Sequence, residues 1–246
     1  MRGYKTLLAA GAAALISTAA LAEERKVLKV SNALDEITIV EDADEILFDV
    51  IDQVQNKFEV DQFNSGDIAA HTEVNATNVT DYTASAVAIA NNTSVDVIGS
   101  VGGAAWQNNS GDVSATMNAN VMNAMGATEL TAVAIANNFS VNVAEYGGAV
   151  ISSTQVNTGD VSAGLHASVT GQVQDVTTTA VAIANNTSIQ VPNGGQILTG
   201  VEQYNHGDVT AYNNTTLRPM RRVIDPAVAV AIGNNASISN YVPVVQ

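Results

Sequence analysis

Two short motifs each occur four times in this chain, in a fixed order and at nearly constant spacing. The first reads Gln-x-Asn-x-Gly-Asp followed by Val or Ile, and its glycines are 45, 48 and 48 residues apart. The second reads Ala-Val-Ala-Ile, then Ala or Gly, then Asn-Asn, and its first asparagines are 46, 48 and 49 residues apart. A period of this length predicts an array of repeats in which each copy packs on the next.

The recurring polar and glycine positions are the candidate functional residues, and their predicted role is structural. In the first motif they are Gln62, Asn64, Gly66 and Asp67; Gln107, Asn109, Gly111 and Asp112; Gln155, Asn157, Gly159 and Asp160; Gln203, Asn205, Gly207 and Asp208. In the second motif they are Asn91 and Asn92; Asn137 and Asn138; Asn185 and Asn186; Asn234 and Asn235. Because every copy carries them, whereas an active site is normally unique, we expect no catalytic or metal-ligating residue among them.

The residues after each Gly-Asp pair alternate between apolar and polar side chains. In the third copy the apolar set contains Val161, Leu165 and Val169, and polar or small residues stand between them. A period of two with one polar face predicts a half-buried β-strand. The Asn-Asn and Gly-Gly pairs are interpreted as turns. Each repeat is therefore predicted to hold about four short strands and four turns.

A repeat of about 48 residues cannot bury its own apolar face, but stacked copies can. The sequence thus predicts an all-β fold, a β-solenoid of stacked β-arches with four imperfect repeats at approximately 62–106, 107–154, 155–202 and 203–246. The strand phase places the repeated Gln inside, where a lone amide is costly. In a stack, identical amides can hydrogen-bond along the column as a ladder.

The residues before the repeats differ from them in composition. Residues 1–22 have a positive start, an Ala-rich apolar run and a small-residue end, which predicts a bacterial secretory signal peptide. Residues 23–61 contain twelve of the 24 acidic residues and are interpreted as an acidic N-terminal cap. No later stretch is long and apolar enough for a transmembrane helix. We therefore expect a secreted chain, extracellular or on the outer-membrane surface.

The charge distribution excludes several classes of function. The chain has 24 acidic and 9 basic residues, and residues 58–217 contain neither Lys nor Arg. This composition argues against nucleic acid as a partner, because phosphate binding needs clustered basic side chains. The absence of cysteine excludes disulfides and thiolate metal sites. Edge lysines restrain self-pairing of β-sheets, so their absence suggests that the chain associates with itself.

The segment Gln107-x-Asn109-x-Gly111-Asp112 and its three relatives resemble the curlin-type repeats of bacterial amyloid fibres and the holdfast-anchor proteins of stalked and budding bacteria. Curlin repeats are about half as long, so each unit here would correspond to two curlin-like arches. The resemblance covers residues 62–246. It implies an exported structural or adhesive protein that assembles with itself, or with other surface-anchor and secretion proteins, in holdfast or biofilm attachment.

Other functions receive less support. His71, His166 and His206 occupy non-equivalent places in their repeats, and no motif of a known enzyme class is present, so we expect no enzyme. No cofactor is expected, although structural calcium remains open because the Asn-x-Gly-Asp turns offer hard oxygen ligands. A second class of function also remains open, namely a monomeric secreted solenoid that binds polysaccharide through its Asn, Thr and Ser face.

Overall fold

The computed structural model describes residues 15–18, 27–32, 35–40, 56–144, 147–172, 175–192, 195–219 and 227–241. These residues form β-strands joined by short turns, and none of them is helical. The strands are β1 (Leu15–Thr18), β2 (Val27–Asn32), β3 (Asp35–Val40), β4 (Asn56–Asn64), β5 (Ile68–Thr77), β6 (Tyr82–Ile98), β7 (Val101–Asn109), β8 (Val113–Met122), β9 (Ala127–Ala144), β10 (Ala149–Asn157), β11 (Val161–Gly171), β12 (Asp175–Pro192), β13 (Ile197–Asn205), β14 (Val209–Pro219) and β15 (Ala227–Tyr241). The predicted all-β fold is confirmed.

Strands β4 to β15 form three parallel sheets that share one direction of stacking. The first sheet has the order β13-β10-β7-β4, the second β14-β11-β8-β5 and the third β15-β12-β9-β6. Three consecutive strands therefore make one rung, beginning with β4–β6 and ending with β13–β15. Equivalent motif residues pair across the rungs, as Gln155 does with Gln107 and Gln203. This parallel stacking is consistent with the predicted β-solenoid.

The acidic N-terminal segment is described only in part. Strands β1, β2 and β3 form a separate antiparallel sheet, in which β2 lies between the other two. Residues 41–55 lie outside the described residues, as does most of the predicted signal peptide, residues 1–22. The predicted boundaries at residues 22 and 61, and the predicted cap, therefore remain predictions.

The Asn-Asn pair does not separate two strands, so the turn predicted there is wrong. The turn predicted at Gly102-Gly103 is also wrong, because both residues lie inside β7. Asn137 and Asn138 lie inside β9, and the side chains of Ala136 and Asn137 are both buried although they are consecutive. The strand thus changes phase by one residue without ending. Among the described non-glycine residues, positive φ angles belong to Asn78 and Asn123, which lie in another turn. Each rung has three strands instead of the four predicted.

Two apolar clusters fill each rung, one on each side of the phase change. The first cluster lies between the second sheet and the N-terminal halves of the long strands, and it includes Met117 and Leu130. The second lies between the first sheet and the C-terminal halves, and it includes Ile151 and Phe139. The small Ala side chains of the second motif face the first cluster, so the layers approach closely there. The repeated amides lie between the two clusters along the chain.

In the second cluster, a large side chain in one rung lies beside a glycine in the next rung. Phe58 of the first rung pairs with Gly103 of the second, and its ring occupies the space that a side chain at Gly103 would need. The same ring lies 5.9 Å from the ring of Phe139. A large residue in one rung is therefore accommodated by a glycine in the next, which keeps the strand pairing regular.

We expect Gly103→Ala to destabilise the chain by about 1–3 kcal/mol, because the added methyl group collides with the Phe58 ring in a packed core. Urea denaturation of the purified chain measures the change. Gly164→Ala is the matched control, since Gly164 faces outward on β11 and a methyl group there meets no atom within 4 Å. An equal loss in both variants would mean that glycine flexibility, and not the Phe58 ring, explains the effect.

Candidate functional site

The first candidate feature is the column formed by the four Gln residues of the first motif. Gln107 Nε2 donates to Gln62 Oε1 over 2.7 Å, Gln155 Nε2 to Gln107 Oε1 over 2.8 Å, and Gln203 Nε2 to Gln155 Oε1 over 2.7 Å. Gln107 and Gln155 are fully buried. The column is thus a continuous amide ladder through the interior, of the kind that makes a buried Gln tolerable.

The Gln ladder also ties the two layers of each rung together. Gln107 Nε2 donates to the backbone carbonyl of Asn138 over 2.9 Å, and Gln155 Nε2 to that of Asn186 over 3.0 Å. The Thr187 hydroxyl donates to Gln155 Oε1 over 3.0 Å, so the buried Gln155 amide is bonded on every side. Each Gln therefore links the first sheet to the third at the level of the phase change.

Three columns of Asn residues run beside the Gln ladder. The Asn64 column is joined by bonds of 2.7, 2.8 and 2.8 Å, the Asn91 column by bonds of 2.8, 2.8 and 2.7 Å, and the Asn92 column by bonds of 2.7, 2.7 and 2.6 Å. Their members are Asn64, Asn109, Asn157 and Asn205; Asn91, Asn137, Asn185 and Asn234; Asn92, Asn138, Asn186 and Asn235. All the predicted amide positions of the two motifs thus lie in ladders.

The Gly-Asp turn is stacked as tightly as the strands. Asp112 donates its backbone N–H to Asp67 Oδ1 over 3.0 Å, and the two higher rungs repeat this bond over 2.9 Å. The four carboxylates, Asp67, Asp112, Asp160 and Asp208, are exposed. A methyl group on Gly111, Gly159 or Gly207 would collide with the backbone carbonyl of the glycine one rung below. Only glycine therefore fits where a rung lies on another at this turn.

The ladders have directions, and the directions differ between columns. In the Gln and Asn92 columns, and at the Asp turn, the donor belongs to the higher-numbered rung. In the Asn64 and Asn91 columns the donor belongs to the lower-numbered rung. A ladder with one direction leaves a donor at one end and an acceptor at the other. The two ends of this stack are consequently different.

Among the described residues, five polar groups of the first rung have no partner in the stacking direction. Three are donors, namely Gln62 Nε2, Asn92 Nδ2 and Asp67 N. Two are acceptors, namely Asn64 Oδ1 and Asn91 Oδ1. Within the same ranges, the fourth rung leaves the complementary set: the acceptors Gln203 Oε1, Asn235 Oδ1 and Asp208 Oδ1, and the donors Asn205 Nδ2 and Asn234 Nδ2. Every open group at one end therefore has its counterpart at the other.

The side-chain amide of Asn234 has a different backbone acceptor from the other members of its column. Asn91, Asn137 and Asn185 each donate to a backbone carbonyl of the next rung, for example Asn137 to Val156 over 2.8 Å. No further rung follows Asn234 among the described residues, and its Nδ2 donates over a longer 3.1 Å to the backbone carbonyl of Gln203 in its own rung. The last rung thus uses a substitute partner at this position.

The three histidines are dispersed, as their positions in the repeats indicated. His71 and His166 point outward from the second sheet, and His206 lies in the turn after β13. The His166 ring lies 5.1 Å from that of Tyr212. In the described ranges, no three acidic or histidine side chains come together as a metal site. The same ranges contain no helix capable of crossing a membrane.

Sequence reasoning missed the aromatic residues on the outward side of the first sheet. Phe63, Trp106 and Tyr204 alternate with the inward Gln and Asn residues, so strand phase alone places them outside. A count of aromatic residues hides them, because the chain contains few in total. The useful signal is an aromatic residue at a position where the other copies have a polar or small one.

The chain was compared with protein families, curated proteins and solved structures. A family model described as Holdfast attachment protein D matches residues 49–246. Neither the curated proteins nor the solved structures contain a significant match to the chain. The matched range includes every copy of both motifs, and it confirms the resemblance to holdfast-anchor proteins that these motifs indicated.

Proposed function

Because the chain belongs to the holdfast attachment protein D family, we propose that it is an exported structural anchor that holds the holdfast at the cell surface and stacks end to end with other copies of itself. The family is one of attachment proteins and not a family of enzymes. Its location is accordingly the cell surface or the extracellular space. The finer proposal, self-association into a fibre or short stack, rests on the two complementary ends.

The observation that carries the proposal is the match between open groups at the first and fourth rungs. When the first rung of one copy lies on the fourth rung of another in the same direction, Gln62 Nε2 meets Gln203 Oε1, and Asn234 Nδ2 meets Asn91 Oδ1. The open backbone edges of β4–β6 and β13–β15 pair in the same step. A contact between two different ends is heterologous and does not close on itself, so it produces a linear stack.

The proposal gives the part of the acidic segment that precedes β4, residues 23–55, a role before assembly, since residues 56–61 belong to the first rung itself. An exposed parallel edge is prone to pair with any available strand, and end rungs of repeat proteins are normally shielded. We assign this shielding to the acidic segment, together with the contact to other anchor or secretion proteins. Before assembly, the proposed solenoid would then have four rungs and an acidic cap over the first, and this cap moves aside when the fourth rung of another copy pairs there.

Gly66→Ala tests the proposed stacking. No described atom lies within 4 Å of a methyl group at Gly66, so the isolated chain is expected to keep its stability. In a stack that methyl group would meet the carbonyl of Gly207 in the copy below, as Gly111 would meet Gly66 within one chain. We expect the purified wild-type chain to form elongated assemblies by sedimentation velocity and negative-stain microscopy, and Gly66→Ala to remain monomeric.

Gly164→Ala, on the outward side of the second sheet, is the control and should assemble like the wild type. Assemblies of Gly66→Ala as long as those of the wild type would contradict the end-to-end contact. A wild-type chain that stays monomeric at all concentrations would favour the alternative, a monomeric polysaccharide-binding module. In cells, a strain carrying Gly66→Ala should release its holdfast under flow more readily than the wild type.

A further inference from the structure

Three aromatic side chains stand exposed on one flat surface of the molecule. Phe63 is 63% exposed, Trp106 44% and Tyr204 49%, and all three point outward from the first sheet. We call this surface, with the residues that alternate beside them, the aromatic face. Large rings normally contribute to a core, and exposed apolar groups gathered on one face of a protein mark an interaction site.

The rings follow the stacking axis. Phe63 and Tyr204 occupy the same column, in the first and fourth rungs. Parallel strands lie about 4.8 Å apart, so the two positions are about 14 Å apart. Trp106 stands in the second rung, in the neighbouring column. A long, thin ligand lying along the stack would therefore meet the three rings in succession.

Acidic and hydroxyl groups lie between the rings. Asp61, Thr154 and Glu202 share the column of Trp106, and Tyr204 donates its hydroxyl to Glu202 Oε2 over 3.5 Å. The face thus offers hydrogen-bond acceptors next to aromatic surfaces.

The charge of the face favours a cationic ligand. Glu59, Asp61 and Glu202 point outward there, and one basic residue, Lys57, lies on the same side of β4 and makes a contact of its own. No Lys or Arg follows Lys57 until Arg218. Aromatic rings attract ammonium groups through their π faces, most strongly when the ring is Trp. Carboxylates beside aromatic rings are therefore suited to an amine.

We propose that the aromatic face binds an extended amino-sugar polysaccharide, with sugar rings stacked on Phe63, Trp106 and Tyr204 and ammonium groups near Asp61 and Glu202. Rings exposed along one sheet face suit repeated sugar rings, each of which can stack in the same way, better than the varied side chains of a peptide. The inference rests on the proposed attachment role, since it names what the anchor holds. It uses a surface separate from the two ends of the stack.

Trp106 is the only tryptophan in the chain, so its fluorescence reports directly on this face. We expect chitosan oligosaccharides to change the emission of the mature wild-type chain in a saturable way. Phe63→Ala should weaken this binding about tenfold, as the loss of one stacking ring implies. Tyr212→Ala, which removes a half-exposed ring from the second sheet, is the matched control and should bind like the wild type.

Trp106→Ala removes the signal, so its binding is measured by retention on chitosan beads, where we expect a loss of most of the retained protein. Fully acetylated chitin oligosaccharides should bind at least about tenfold more weakly, because the ammonium groups are absent. Equal binding of both oligosaccharides, or equal retention of Trp106→Ala and wild type, would overturn the proposal. Polylysine that binds with the same dependence on Phe63 would overturn it in favour of a peptide ligand.

The stacking variant separates the two proposals. Gly66→Ala leaves the aromatic face intact, and as a monomer it should still bind chitosan oligosaccharides with the affinity of an isolated wild-type chain. A wild-type chain that assembles normally but does not bind chitosan oligosaccharides would contradict only the proposal about the aromatic face. Normal glycan binding by a wild-type chain that never assembles would contradict the end-to-end stack alone.

Discussion

Replacing Gln155 by leucine is expected to lower the unfolding free energy of the chain by at least about 3 kcal/mol, because each buried polar group left unpaired costs about 1–3 kcal/mol. The substitution removes four bonds of a fully buried amide, to Gln107, Asn186, Thr187 and Gln203. Gln107 Oε1 then has no donor in the interior. Leucine has a similar volume, so packing is largely retained and the loss reports on the hydrogen bonds. Urea denaturation followed by circular dichroism measures it.

Gln203→Leu in the fourth rung is the matched control for this substitution. Gln203 is only partly buried, and its Oε1 atom accepts no bond from a described residue. Its removal leaves fewer buried groups unpaired, and we expect less than half of the loss seen at Gln155. Equal losses at the two positions would show that burial of the ladder does not determine its contribution.

Gly159→Ala is expected to destabilise the chain by about 3 kcal/mol, at the upper end of the usual range for overpacking. The added methyl group collides with the carbonyl of Gly111, which is backbone held by the pairing of two rungs. To avoid this collision, the two rungs would have to lie farther apart at the turn. That would lengthen the hydrogen bond from Asp160 N–H to Asp112 Oδ1. The midpoint of thermal unfolding measures the effect.

Gly66→Ala makes the same substitution at the equivalent turn of the first rung, where no described atom lies within 4 Å of the added methyl group. Its effect on the monomer should be within about 0.5 kcal/mol, the usual range for surface substitutions. Comparable losses in the two variants would mean that the turn itself requires glycine. A difference between them would mean that the stacked carbonyl sets the requirement.

The period of the motifs was enough to predict how the rungs pair. Identical residues at a constant interval, such as Gln107 and Gln155, take the same place in each rung, and parallel pairing then places them side by side. The alternation after Gly-Asp predicted correctly that Val161 and Leu165 face inward. Both features depend on local rules of strand geometry, which a sequence carries directly.

The Asn-Asn position could not be interpreted in the same way. Asparagine is common in turns because it tolerates a left-handed backbone. Here Asn137 is buried instead, because its side chain bonds to Asn185 and to the carbonyl of Val156, both supplied by the next rung. In sequence, Asn185 is 48 residues and Val156 is 19 residues away from Asn137. The direction of each ladder likewise depends on how an amide is oriented in three dimensions, and the residue letters do not record it.

The opposed directions of the four amide ladders affect the electric moment along the stacking axis. Each side-chain amide has an electric dipole, and in a ladder with one direction these dipoles add, as peptide dipoles do in a helix. The Gln and Asn92 columns orient their amide N–H groups toward the first rung, whereas the Asn64 and Asn91 columns orient theirs toward the fourth. The amide dipoles of two columns therefore point opposite to those of the other two. Among these four amide columns, the moments along the stacking axis thus oppose each other in pairs, whatever the number of rungs.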